Sequence, residues 1–229
     1  MQTMLFAVFP YVAFTLAILG GLYRYFNNPF SYSSLSSQLL ENRQLFWGSV
    51  PWHYGIISIL LAHFFAGLFP GAARYSLDSP WRLYAFELAG MALALFTLFG
   101  LIVLFVRRVR PKLAPHVVTS NMDWILLLLF IVQVVTGLGI SIGARWGSLW
   151  YLSTAVPWFW SIFRLHPDYS TIQPLPTFVL FHMINGFVLI LLFPFSRLVH
   201  IFTVPLDYLW RPYQVVIWNR PPTGKSTAL

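Results

Sequence analysis

Residues 50–69 read VPWHYGIISILLAHFFAGLF, twenty residues with no charge, broken in character only by His53 and His63. A helix needs about 20 predominantly apolar residues to cross a bilayer, so this stretch is a membrane span carrying two coordinating side chains ten residues apart. Four more segments qualify by the same measure: Met4 to Tyr23, Leu83 to Val106, Met122 to Ile142 and Pro176 to Val204. The last holds a second pair, His182 and His200, eighteen apart. Histidine at membrane depth is costly, and four on two spans point to a task such as metal ligation and electron transfer.

Composition agrees. With 229 residues, 58% of them hydrophobic and 9% charged, and a mean hydropathy of +0.71, the chain is a polytopic membrane protein, since soluble domains carry about 25% charged residues. The net charge of +8 does not imply nucleic acid, because the basic residues lie between apolar runs, where they set topology. No cysteine is present, which excludes disulfides, thiolate-held iron–sulfur clusters and covalently attached c-type haem. Met1 to Tyr23 has no basic residue before its apolar run and reads as the first span rather than a removed signal peptide. No linker or internal repeat divides residues 1–229, so one membrane domain is expected.

Cytoplasmic loops carry the excess of lysine and arginine. With five spans, ten of the fourteen basic residues fall on one side, among them Arg24, Arg43, Arg107, Arg108, Lys112 and Arg197; Arg74, Arg82, Arg145 and Arg164 fall on the other. The N-terminus is therefore expected outside and the proline-containing tail 207–229 in the cytoplasm, lying on a partner. Gly147 to Phe163 is apolar and nearly long enough to span, but Trp150, Trp158, Trp160, Pro157 and the flanking Arg145 and Arg164 give it the profile of an interfacial segment on the outer surface.

Alternating topology puts His53 with His200 toward the cytoplasm and His63 with His182 farther out. Eighteen residues are a whole number of helical turns, so His182 and His200 would share a face of one continuous fifth helix. Ten residues rise ~15 Å and eighteen ~27 Å, a mismatch that a bulky group between the ligands, together with a bend at Pro194, would absorb. A bare zinc ion needs all its ligands at ~2.0–2.1 Å, which histidines so spread cannot meet. Two bis-histidine b-type haems suit the pattern. Gly55, Ala62, Ala66, Gly67 and Gly186 would let a macrocycle approach the backbone, and Arg197, with Arg43 and Arg108, could meet propionates. His116 and His166 read as solvated, and Glu87 and Asp78 as outer-side anchors or proton relays.

The stretch His53-Tyr54-Gly55-Ile56 to His63-Phe64-Phe65, the run from Leu191 to Ile201 (LLFPFSRLVHI) and the following Val204-Pro205 resemble the gamma subunit of respiratory nitrate reductase, over nearly the whole chain. The resemblance implies an all-α integral membrane protein of five helices in a prokaryotic cytoplasmic (inner) membrane. Such a subunit holds two haems, oxidises membrane quinol, and passes electrons to a cytoplasmic iron–sulfur subunit and then to a molybdenum subunit that reduces nitrate. It implies a proximal haem on His53 and His200, a distal haem on His63 and His182, and a quinol pocket beside the distal one. That pocket carries a lysine after the second span in the family; here no lysine stands there, and Arg82 and Gly67 are the candidates. The rival readings are the related dihaem subunits of sulfite-reduction or heterodisulfide-reductase complexes and, in another class, a histidine-using transporter.

Overall fold

Prolines open many of the helices, because the first turn has no use for the amide hydrogen that proline lacks. In the computed structural model, which describes residues 2–32, 43–110, 119–144 and 147–203, α1 (Phe9–Asn27) continues a π turn at Met4–Val8 with Pro10 near its start. Then come α2 (Arg43–Leu68), the short α3 (Pro70–Ser76) and α4 (Pro80–Val109), the latter two begun by their prolines. The helix α5 (Asn121–Gly143) starts from a capping box: Ser120 Oγ accepts from the Asp123 amide and Asp123 Oδ2 from the Ser120 amide. The segment α6 (Gly147–Trp150), a π turn at Tyr151–Ala155 and α7 (Val156–Phe163) follow, and α8 (Thr177–Leu192) leads into 3-10 turns at Phe193–Phe195 and Arg197–Thr203. No strand occurs among the described residues.

Five of these helices are long and apolar enough to cross a membrane, and they are the five expected, over Met4–Asn27, Gln44–Leu68, Pro80–Val109, Asn121–Gly143 and Thr177–Phe195. At most 22% of any span's apolar window is buried within the chain, so most of the apolar surface is left for lipid. The helices pack as a series, α2 on α4, α4 on α5, α5 on α8 and α8 on α1. The α2–α4 seam is the tightest, and small residues make it possible: a Cβ on Gly100 would stand 2.6 Å from the Gly48 carbonyl oxygen and the Trp52 nitrogen. Gly55 belongs to this seam, against Thr97 and Leu93, and Gly186 faces Gln133 of α5. Neither therefore serves as open space beside a histidine, as the sequence had suggested.

Two expectations about the spans need correction. The second begins not at Val50 but at Arg43, running through Pro51; a lost backbone bond inside a membrane helix is tolerated where neighbours compensate. The fifth is not one helix from Pro176 to Val204. It stops at Leu192, and Ser196 is extended (φ −121°, ψ 179°) between the two 3-10 turns. Pro194 cannot donate to the fourth carbonyl before it, and the carbonyls of Pro194 and Ser196 are taken by Arg24 Nη1, at 2.7 Å each. His182 and His200 thus belong to separate elements, and the shared-face argument fails.

The segment 147–163 is helical and lies across the end of the bundle where α1 begins and α2 finishes. Trp158 Nε1 donates to Phe6 O (3.1 Å) and Trp160 Nε1 to Gly67 O (2.9 Å), while Tyr11 Oη donates to Ile162 O (2.8 Å). Trp158 is 2% exposed, packed against Phe6 and Phe187, so this stretch is part of the core more than an aromatic belt for lipid. Lys112, His116, Arg145 and the tail 207–229 lie outside the described residues, as does the Arg43 side chain.

Candidate functional site

His53 and His200 meet. Their ring centroids are 6.2 Å apart with planes inclined at 73°, although one comes from α2 and the other from the turn after the broken helix. Two imidazoles this close are within the span that one metal bridges, and their outer nitrogens are compatible with that use. His53 Nδ1 lies 2.8 Å from the Ser49 carbonyl oxygen and His200 Nδ1 2.6 Å from that of Arg197. A carbonyl can only accept, so in each ring Nδ1 carries the proton and Nε2 keeps the lone pair a metal requires.

His63 follows the same rule, with Nδ1 2.9 Å from Ile59 O. It is exposed on α2, its ring 5.3 Å from that of Tyr151. His182 differs. Its Nδ1 bonds Thr136 Oγ1 (2.9 Å) and its Nε2 bonds Gln133 Nε2 (3.0 Å), both on α5. Gly137 lets the ring lie against that helix, since a Cβ there would come 3.2 Å from His182 Cε1. Among the described residues no group of three or more His, Cys, Asp or Glu side chains gathers as a metal site. His53 and His200 come together as a pair, a donor set that suits a cofactor bringing the remaining ligands itself, whereas His63 meets Tyr151 and His182 meets α5.

The polar contact made on the His63 backbone is neutral. Tyr151 Oη donates to the His63 carbonyl (3.1 Å), and burial pushes the Tyr151 phenol up from its ordinary value, so it remains a donor. A Cβ on Gly67 would meet Tyr151 Oη at 3.3 Å. Arg82 reaches Tyr75 O at 3.4 Å through Nη2; among the described residues its buried Nε has no partner, nor has Trp150 Nε1 at the same end. Buried orphan donors are rare and call for an acceptor. Glu87 is occupied as an anchor, its Oε1 accepting from the Ser148 amide (2.9 Å) and hydroxyl (2.6 Å).

The His200 end is ionic. Arg197 Nη2 pairs with the buried Asp123 at 3.2 Å, tying the start of α5 to the turn that carries His200. Arg24 adds Ser31 to its two carbonyls, through Nε to Oγ (2.7 Å) and Nη2 to the backbone oxygen (2.6 Å). These residues line a cavity of about 280 Å³ with Phe195 and Ser196. Arg107 is also buried here. Reading the sequence missed Arg24 as a structural clamp, and Asp123, Gln133, Thr136, Tyr151 and Asn185 altogether. A signal existed for three of them: Gln133 and Thr136 are polar and three apart in an apolar span, as are His182 and Asn185, the spacing of one helix face.

The profile of the nitrate reductase gamma subunit family matches residues 2–219. The nitrate reductase gamma chain of Bacillus subtilis (strain 168) is 32% identical over 216 residues, 92% of this chain and 96% of that one. The respiratory nitrate reductase 1 gamma chain of Escherichia coli (strain K12) is 32% identical over 218 residues, 92% and 95% of the two. The nitrate reductase-like protein NarX of Mycobacterium tuberculosis (strain CDC 1551 / Oshkosh) is 31% identical over 93% of this chain but only 33% of its own length.

Proposed function

Since the chain belongs to the nitrate reductase gamma subunit family, the membrane component of a multi-subunit complex, we propose that it is a dihaem cytochrome b that oxidises membrane quinol. The observation that carries this reading is the His53–His200 pair, spaced at 6.2 Å with both Nδ1 hydrogens held by carbonyls. His63 and His182 form the second pair, toward the outer face. Bound b haems supply one-electron redox chemistry, with potentials set by ligand orientation and burial.

The protein's own residues would work as follows. Quinol docks at the His63 end, where Arg82 Nε, without a partner among the described residues, offers a donor to its oxygens, Tyr151 Oη, whose one hydrogen goes to the His63 carbonyl, accepts from a quinol hydroxyl, and Gly67 keeps the α2 backbone close. Its oxidation to quinone releases two electrons and two protons, the protons leaving on the outer side. Arg197, whose Nη2 pairs with Asp123 at 3.2 Å, places a guanidinium, the group that matches carboxylates, at the end where a propionate would lie. The electrons leave at the His200 end to an iron–sulfur subunit, and thence to a molybdenum subunit that reduces nitrate, in the cytoplasmic membrane of a prokaryote. Residues 207–229 are assigned to docking these partners.

A pyridine haemochrome assay on the purified complex tests the reading. Two b haems per copy of this chain are expected. None, in a folded and haem-supplied preparation, would replace electron transfer by the transporter alternative.

A further inference from the structure

Three of the four histidines orient themselves, each giving Nδ1 to a carbonyl three or four residues earlier in its own segment. His182 is oriented by another helix. The direction of its hydrogen bonds can be deduced. Asn185 Nδ2 lies 3.0 Å from Leu129 O, which only accepts, so this atom is the amide nitrogen; it also donates to Gln133 Oε1 at 2.6 Å. The Gln133 nitrogen therefore faces His182 Nε2 and donates to it, since an amide NH2 has no lone pair to offer. Nε2 is the accepting nitrogen and Nδ1 bears the proton. That proton goes to Thr136 Oγ1, whose own hydrogen is spent on Val132 O at 2.7 Å.

We propose that Thr136 is the positioning residue of the outer centre, accepting the Nδ1 hydrogen of His182 so that the ligand lone pair stays on Nε2, where Gln133 now meets it, in the role that backbone carbonyls play for the other three histidines. The inference rests on the reading of His182 as an iron ligand. A metal at Nε2 takes the lone pair used here by Gln133 and leaves the Thr136 bond intact. An acceptor on the far nitrogen makes an imidazole a more basic ligand and fixes its ring plane. A hydroxyl from α5 thus couples ligand strength to the α5–α8 contact, which a carbonyl within α8 could not do. Asn185 and Gln133 stiffen the same contact from the other side.

The test is redox titration and low-temperature EPR of the membrane-bound complex carrying Thr136→Val or Thr136→Ser, with the His53–His200 haem as internal standard. Thr136→Val should raise the midpoint potential of the outer haem and shift its low-spin signal, leaving the inner haem unmoved, and Thr136→Ser should restore both. Outer-haem properties unchanged in Thr136→Val, with two haems bound, overturn the proposal. So does loss of both haems from either variant, which would mean general packing. Loss of the outer haem alone in Thr136→Val, with Thr136→Ser normal, supports it. Retention of both haems by His182→Ala would instead remove the underlying reading, whatever Thr136 does.

Discussion

The two ends of this bundle hold their histidines by opposite means. At the His200 end the backbone is broken after Leu192 and tied back by charge, through Arg24 to the Pro194 and Ser196 carbonyls and through Asp123 to Arg197. At the His63 end the helix is unbroken and the ties made to it are neutral, with Tyr151 and Trp160 donating to α2 carbonyls and Trp158 packed in a core cluster, while Glu87 anchors the covering segment to α4. The comparison teaches that a histidine outside regular helix needs its loop satisfied by strong donors. Within a helix, His63 is oriented by a carbonyl of its own helix and His182 by side chains of α5. Charge-assisted bonds are roughly twice as strong as neutral ones, and the break exposes carbonyls that helix geometry would otherwise satisfy.

The largest effect should come from the histidines themselves. His63→Ala is expected to remove one haem, lowering quinol-driven nitrate reduction at least 100-fold while dye-driven activity in the partner subunits survives; optical spectra and paired assays read both. His200→Ala should remove the other haem and leave the first, and loss of both from either variant would erase the distinction between the ends. Next is Trp158→Ala. Truncating a buried tryptophan costs about 3–5 kcal/mol, and Trp158 is 2% exposed, so the thermal midpoint should fall markedly with the His63 end affected first.

Arg24→Met should cost about 2–3 kcal/mol, the scale of losing charge-assisted bonds to buried carbonyls, and loosen only the haem at His200. Measuring haem retention on heating for each centre separates the two ends; equal loss at both would contradict a local clamp. The smallest change belongs to Tyr151→Phe. It removes one hydrogen bond, worth about 1 kcal/mol, so stability should hardly move while KM for quinol rises a few-fold. An unchanged KM would take Tyr151 out of the proposed pocket.

Much of the architecture was legible before any coordinates. The uncharged run at 50–69 and its four counterparts could be nothing else in a chain with 9% charged residues, and alternating spans were enough to pair His53 with His200. The break at Pro194 was half legible: the proline announced a bend, but the extended Ser196 depends on Arg24, which comes 170 residues earlier than Pro194. The role of 147–163 was obscured because tryptophan suits both a lipid interface and a protein core. Only the partners Phe6, Gly67 and Phe187 distinguish the two.

What the sequence determined alone was what depends on transfer from water to hydrocarbon: the number of spans, and the presence of four histidines that such a transfer would otherwise penalise. Those are sums over short windows, and local composition suffices for them. What only the tertiary structure decided was which polar group meets which: Thr136 with His182, Asp123 with Arg197, Tyr151 with the His63 carbonyl. Hydrogen bonds are directional and act over about 3 Å, so they depend on how helices far apart in the chain are rotated and pressed together, and no window of sequence contains that information.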